Sequence, residues 1–181
     1  MTALDASASI PPLPLGEPDP ALADPHALLR GYLDYYRDTL LRKIDGLAED
    51  ELRGSRLPSG WSPLELVRHL TYVERRWLSW GFEAERVPDP WGDRGGDDKW
   101  RVPDGVTVAE TIAAFRAQCD RSREIVREAR LDAHARLGGR FPTEEEAPSL
   151  AWILFHLLQE YARHVGQLDV ARELADGATG E

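Results

Sequence analysis

Apolar positions recur at steps of three and four along four stretches of the chain, and each stretch opens with residues that start helices. The first begins at Asp24, an N-cap followed by Pro25, and spaces Leu28, Leu29, Tyr32, Tyr35, Tyr36, Leu40 and Ile44 along one broad face. The second opens on SPLE, residues 62–65, where a serine cap, a proline at the first helical position and a glutamate form a capping box. It runs to about Phe82, with Leu66, His69, Leu70, Val73, Trp77 and Trp80 inward. A second capping box, TVAE at residues 107–110, opens the third, whose inward series is Ile112, Phe115, Cys119, Ser122 and Val126. Ser149 caps the fourth, which extends to about Ala175 and stops at Gly177. No stretch supports a strand comparably. The pattern predicts an all-α four-helix bundle over residues 24–181, with handedness and helix order left open.

The segments between helices add two features. Residues 85–105 are rich in Pro, Gly, Asp and Trp and read as a long functional loop, in which Trp91 and Trp100 are assigned to packing ahead of walling a pocket. Residues 1–23 hold five prolines and no periodicity, and read as a flexible arm or an extended strap over the domain.

Composition narrows the function classes. A chain of 181 residues with 42% hydrophobic content suits one cored domain plus the arm. No run approaches the roughly 18 apolar residues of a membrane span, and the N-terminus lacks a basic and an apolar leader region, which predicts a soluble cytoplasmic protein. A net charge of -10 without a basic stripe works against nucleic acid. The single cysteine, Cys119, excludes an internal disulfide framework and reads as a small core residue, so any metal must be held by nitrogen and oxygen.

The fourth helix carries an anomaly. Its core series of Leu150, Ile153, Leu157, Glu160, His164, Leu168 and Ala171 puts a carboxylate and an imidazole where leucine is expected. An ionised carboxylate in an apolar interior is costly unless paired or bound to a cation, and the i, i+4 spacing brings both heads to one partner. His69, embedded in the inward stripe of another helix, is the candidate third ligand. Two nitrogens and one oxygen leave coordination positions open, as in a catalytic site. The other reading of the pair is a buried hydrogen-bonded couple that tolerates burial. His156 has drifted about 80° around the helix from His164 and reads as a packing residue or a neighbour of the ligands. Arg163 and Gln167 are candidates for orienting ligands or touching substrate, and Gly166 for letting a neighbouring helix approach.

GWSPLELVRHLTYVERRWL in the second helix, SLAWILFHLLQEYARHVGQLD in the fourth and the closing DGATGE resemble the DinB/YfiT-like superfamily, in the branch once called mini-circle proteins. The resemblance runs from about residue 25 onward. It implies a four-helix bundle with a divalent metal on one histidine of the second helix and two residues four apart on the last, which fall on His69, Glu160 and His164. Many members have histidine at the position of Glu160, whereas the His, Glu, His set is similar to mycothiol-dependent maleylpyruvate isomerase. The resemblance further implies a transferase or isomerase acting on a small molecule with a bacterial thiol such as mycothiol, bacillithiol or glutathione; a nitrogen and oxygen triad accommodates zinc, nickel, iron or manganese, of which zinc or nickel is expected.

Three functions compete at this stage. The first is metal-assisted transfer of a small thiol to an electrophile. The second is hydrolysis by a metal-bound hydroxide. The third is a non-catalytic bundle with a polar cluster, in which the first helix or the proline-rich arm forms a homodimer surface. A ferritin-like di-iron centre is set aside, because only one Glu-x-x-x-His stands in the core stripe.

Overall fold

The computed structural model describes residues 16–179, so most of the proposed arm, residues 1–15, lies outside the described residues. Among the described residues the chain is helical and has no strand, only isolated β-bridges. Helix α1 spans Pro25–Ile44, α2 Glu49–Arg53, α3 Pro63–Glu74, α4 Val108–Val126 and α5 Leu150–Asp176. Helix α3 continues without a break into a π-helical segment, Arg75–Phe82. Helix α1 packs along α5, α4 packs along α3, and α3 also meets α5, so the four long helices enclose one apolar core.

The predicted starts hold for local reasons. Asp24 accepts from Ala27 N at 2.7 Å, and Ser62 and Thr107 each exchange capping-box hydrogen bonds with Glu65 and Glu110. Gly177 ends α5 with φ 76°, the left-handed conformation that suits glycine. Pro18, the described part of the arm, lies against Gly31 of α1, where a Cβ would come within 2.7 Å of the ring.

Three expectations need correction. The π-helical segment re-phases the second helix after Glu74, so Trp77 and Trp80 are half-buried while Arg76, Leu78, Ser79 and Phe82 turn inward. On α1 the face is rotated: Leu33 and Leu41 are buried, whereas Leu28, Tyr32, Tyr35 and Tyr36 are half-buried. Gly166 faces open space, so it admits no neighbouring helix.

The core holds a charge network that the apolar pattern does not announce. Each of the four long helices contributes one residue: Arg37, Glu74, Cys119 and Tyr161. The Arg37 guanidinium donates from Nε and Nη2 to the two oxygens of Glu74 at 2.7 and 2.8 Å, and the Tyr161 hydroxyl donates to Glu74 Oε1 at 2.5 Å. Cys119 Sγ stands 3.8 Å from the same oxygen. Burial, reinforced by the Glu74 charge, pushes the Cys119 thiol and the Tyr161 phenol well above their usual pKa values. Cys119 is therefore a protonated core residue and not a nucleophile.

Candidate metal centre

His69, Glu160 and His164 come together although 91 residues of sequence separate the first pair. Each offers one ligand atom, and these atoms all lie within 4.8 Å of one another. His164 Nε2 stands 3.2 Å and His69 Nε2 4.0 Å from Glu160 Oε2. A tetrahedral site with bonds of about 2.1 Å spaces its donors by roughly 3.4 Å, so the triad is close to, and slightly more open than, a closed coordination shell. The three do not sit at the centre of the core stripe, where Leu157, Tyr161, Val165 and Leu168 are buried. Glu160 and His164 flank it, with side chains 28% and 15% exposed, so the site lies at the rim of the bundle and can admit a ligand from solvent.

The other ring nitrogens are committed. His69 Nδ1 is 2.9 Å from Asp93 Oδ2, and His164 Nδ1 is 3.0 Å from Gln167 Oε1, both acceptors as placed. Each Nδ1 thus faces an acceptor, and each Nε2 is turned toward Glu160, so a ring protonated only at Nδ1 would present its Nε2 lone pair to the centre of the triad. In that tautomer the two nitrogens and the carboxylate oxygen form a donor set that could hold a divalent cation. Burial lowers the pKa of His69 despite the opposing Asp93 hydrogen bond, which favours the neutral, ligating form.

Asp93 is the residue that sequence reasoning missed, and Trp100 is one that it did not join to His69. The loop between the π-helical segment and α4 closes on itself through a bridge between Arg94 and Trp100, with Arg101 N donating to Asp93 O at 2.8 Å and Gly95 N to Lys99 O at 2.7 Å. The clasp delivers Asp93, fully buried, to His69. Burial would raise the Asp93 pKa, but hydrogen bonds from His69 and from Arg76 Nη1 at 2.6 Å outweigh it and keep the group ionised. Trp100 stacks on His69 with ring centroids 3.9 Å apart and planes at 18°, and stands edge-on to His164 at 5.1 Å. It borders the candidate site and also packs against the apolar core, as the packing assignment expects. Trp91 is 43% exposed beneath the guanidinium groups of Arg76 and Arg94.

The remaining candidates divide. His156 stacks on Trp152 with centroids 5.2 Å apart and packs on Trp77 at 4.4 Å, while its Nε2 is 3.4 Å from Glu160 Oε1. It thus packs, as expected, and borders a ligand. Gln167 reaches His164, whereas Arg163 is exposed on the helix. Hydrogen-bond partners of metal-bound histidines typically contribute about 10–100-fold in affinity. Asp93→Asn is accordingly expected to weaken metal binding by that order, measured by competition with a chromogenic chelator, and an unchanged affinity would remove Asp93 from the site.

No helix is long and apolar enough to cross a membrane among the described residues. A family model described as mycothiol-S-transferase matches residues 28–177. A search of curated proteins returns no match to this chain.

Proposed function

The chain belongs to the mycothiol-S-transferase family, and on that premise we propose that His69, Glu160 and His164 hold a divalent metal at which a small thiol is activated for transfer to an electrophilic small molecule. The observation that carries the reading is the convergence of two imidazole nitrogens and one carboxylate, each imidazole fixed through its other nitrogen. A divalent cation bound there lowers the pKa of an approaching thiol from its ordinary value of about 8.5, so that the thiolate prevails at neutral pH.

The chain's own residues supply the rest. Glu160 is the single negative donor, so the centre keeps net positive charge for an incoming thiolate. Asp93, itself clamped by Arg76, holds His69 in the tautomer that leaves Nε2 free. Trp100 covers the His69 ring and restricts water on that side. No protein thiol competes as nucleophile, since Cys119 is buried against Glu74. A nitrogen and oxygen donor set of this kind suits zinc or nickel. We further read the four long helices as the DinB-type bundle, residues 24–181 as one domain, and the cytoplasm as its compartment.

The test is a transfer assay with metal-loaded protein, mycothiol and a panel of electrophiles such as monobromobimane and chlorodinitrobenzene. Thiol loss above the uncatalysed rate, absent after chelation, is the expected result. Metal-loaded protein that accelerates none of these reactions would contradict the reading, and turnover of an ester panel without thiol would favour the metal-hydroxide alternative.

A further inference from the structure

A cleft of about 440 Å³ shares Trp100 with the candidate metal centre, and nothing in the proposed chemistry uses it. Its size falls in the range of small-molecule sites, roughly 300–1,000 Å³. Two of its walls are the indoles of Trp61 and Trp100, with ring centroids 6.2 Å apart and planes inclined at 52°. Both pack against the apolar core, so their faces are held in place. Around them stand Glu65, Asp97, Lys99 and Arg101.

Most charges at this rim have a charged partner: Asp98, also in the lining, lies 2.7 Å from Arg94, and only Glu65 is held by a backbone donor alone. Glu65 accepts from Ser62 N at 2.8 Å, Asp97 lies 3.7 Å from the Lys99 ammonium, and Arg101 lies 3.5 Å from Asp104. The cleft thus keeps a small acidic excess that disfavours an anionic ligand, and its carboxylates and cations retain unused acceptor and donor positions. A purely apolar ligand would strand these groups. Flat indole faces beside many hydrogen-bonding groups suit a neutral ring that carries C–H surface on its faces and hydroxyls on its edge.

We propose that this cleft holds the neutral, polyhydroxylated, sugar-like portion of the thiol cosubstrate, with the sulfur-bearing arm passing Trp100 to reach His69, Glu160 and His164. The inference rests on the thiol-transfer reading. Trp100 spans the two sites, since it lines the cleft and lies 3.9 Å from the His69 ring and 5.1 Å from the His164 ring. A ligand seated in the cleft therefore lies against the same indole that stacks on His69.

Titration calorimetry with N-acetylglucosaminyl-inositol, in which an acetyl group replaces the cysteinyl arm of mycothiol and keeps the nitrogen an uncharged amide, tests the cleft without turnover or metal. The full-length protein is expected to bind it saturably. Trp61→Ala should weaken binding at least tenfold and Lys99→Ala by a few-fold. Because Lys99 is 76% exposed at its side chain, that variant decides the matter if Trp61→Ala does not fold. In turnover, the ratio of kcat/KM for mycothiol over that for N-acetylcysteine should fall about tenfold in Trp61→Ala. No saturable binding by the parent, or variants that bind as the parent does, would overturn the proposal. Binding of the sugar-like part without any thiol transfer would leave the cleft assigned and refute the transfer reading, whereas transfer without such binding would do the reverse.

Discussion

Replacing Glu74 with leucine is expected to lower the unfolding free energy by about 3–5 kcal/mol, the cost of leaving a buried partner uncompensated. Glu74 is fully buried and receives two hydrogen bonds from Arg37 and one from Tyr161, so the substitution strands the Tyr161 hydroxyl and leaves the buried guanidinium only its 2.8 Å contact with Asp34. Removing both charges at once, in Arg37→Met with Glu74→Leu, should recover most of the loss, because a packed apolar pair avoids the desolvation that the ion pair bears. Urea denaturation of the parent, the single variant and the double variant measures both effects. A single-variant loss below about 1 kcal/mol would mean that the network is not closed in solution.

The second large effect is functional. Glu160→Ala removes the only carboxylate of the candidate triad and leaves it the two imidazoles of His69 and His164. Thiol transfer by this variant should fall further than the roughly 10–100-fold that loss of a ligand's hydrogen-bond partner costs. The fold should survive, since Glu160 is half-exposed and makes none of the contacts of the Arg37–Glu74 network. Single-turnover assays, with circular dichroism as the fold control, check this; a folded variant with parental activity would exclude Glu160 from the chemistry.

Helix starts and the metal candidates were legible because they depend on near neighbours in sequence. SPLE and TVAE form their capping boxes within four residues, and Glu160 with His164 share a face through the pitch of a single helix. His69 could be found only as a histidine in an apolar stripe, and its stripe was read correctly because it precedes the π-helical segment. Beyond Glu74 the period changes, so Trp77 and Trp80 were turned inward too far. Helix α2 has only five residues, too few to show periodicity. The approach of Asp93 and Trp100 to His69 was hidden for another reason. Their partner His69 is 24 residues from Asp93, and the clasp that aims them is a local bridge within a loop that has no repeating pattern. An aspartate-rich, tryptophan-bearing loop of that length was the signal available, and it marked the segment and Trp100 without marking Asp93 or joining either to His69. The Arg37–Glu74 pair was likewise concealed, because buried charges that satisfy one another leave no trace in apolar spacing.

The most direct test of the central claim is the metal content of protein purified without an affinity tag, measured beside the His164→Ala variant by elemental analysis. The account predicts close to one divalent ion per parent chain and loss of that ion from a variant that remains helical. Parent protein that holds no divalent ion, even after incubation with zinc and nickel, would contradict it.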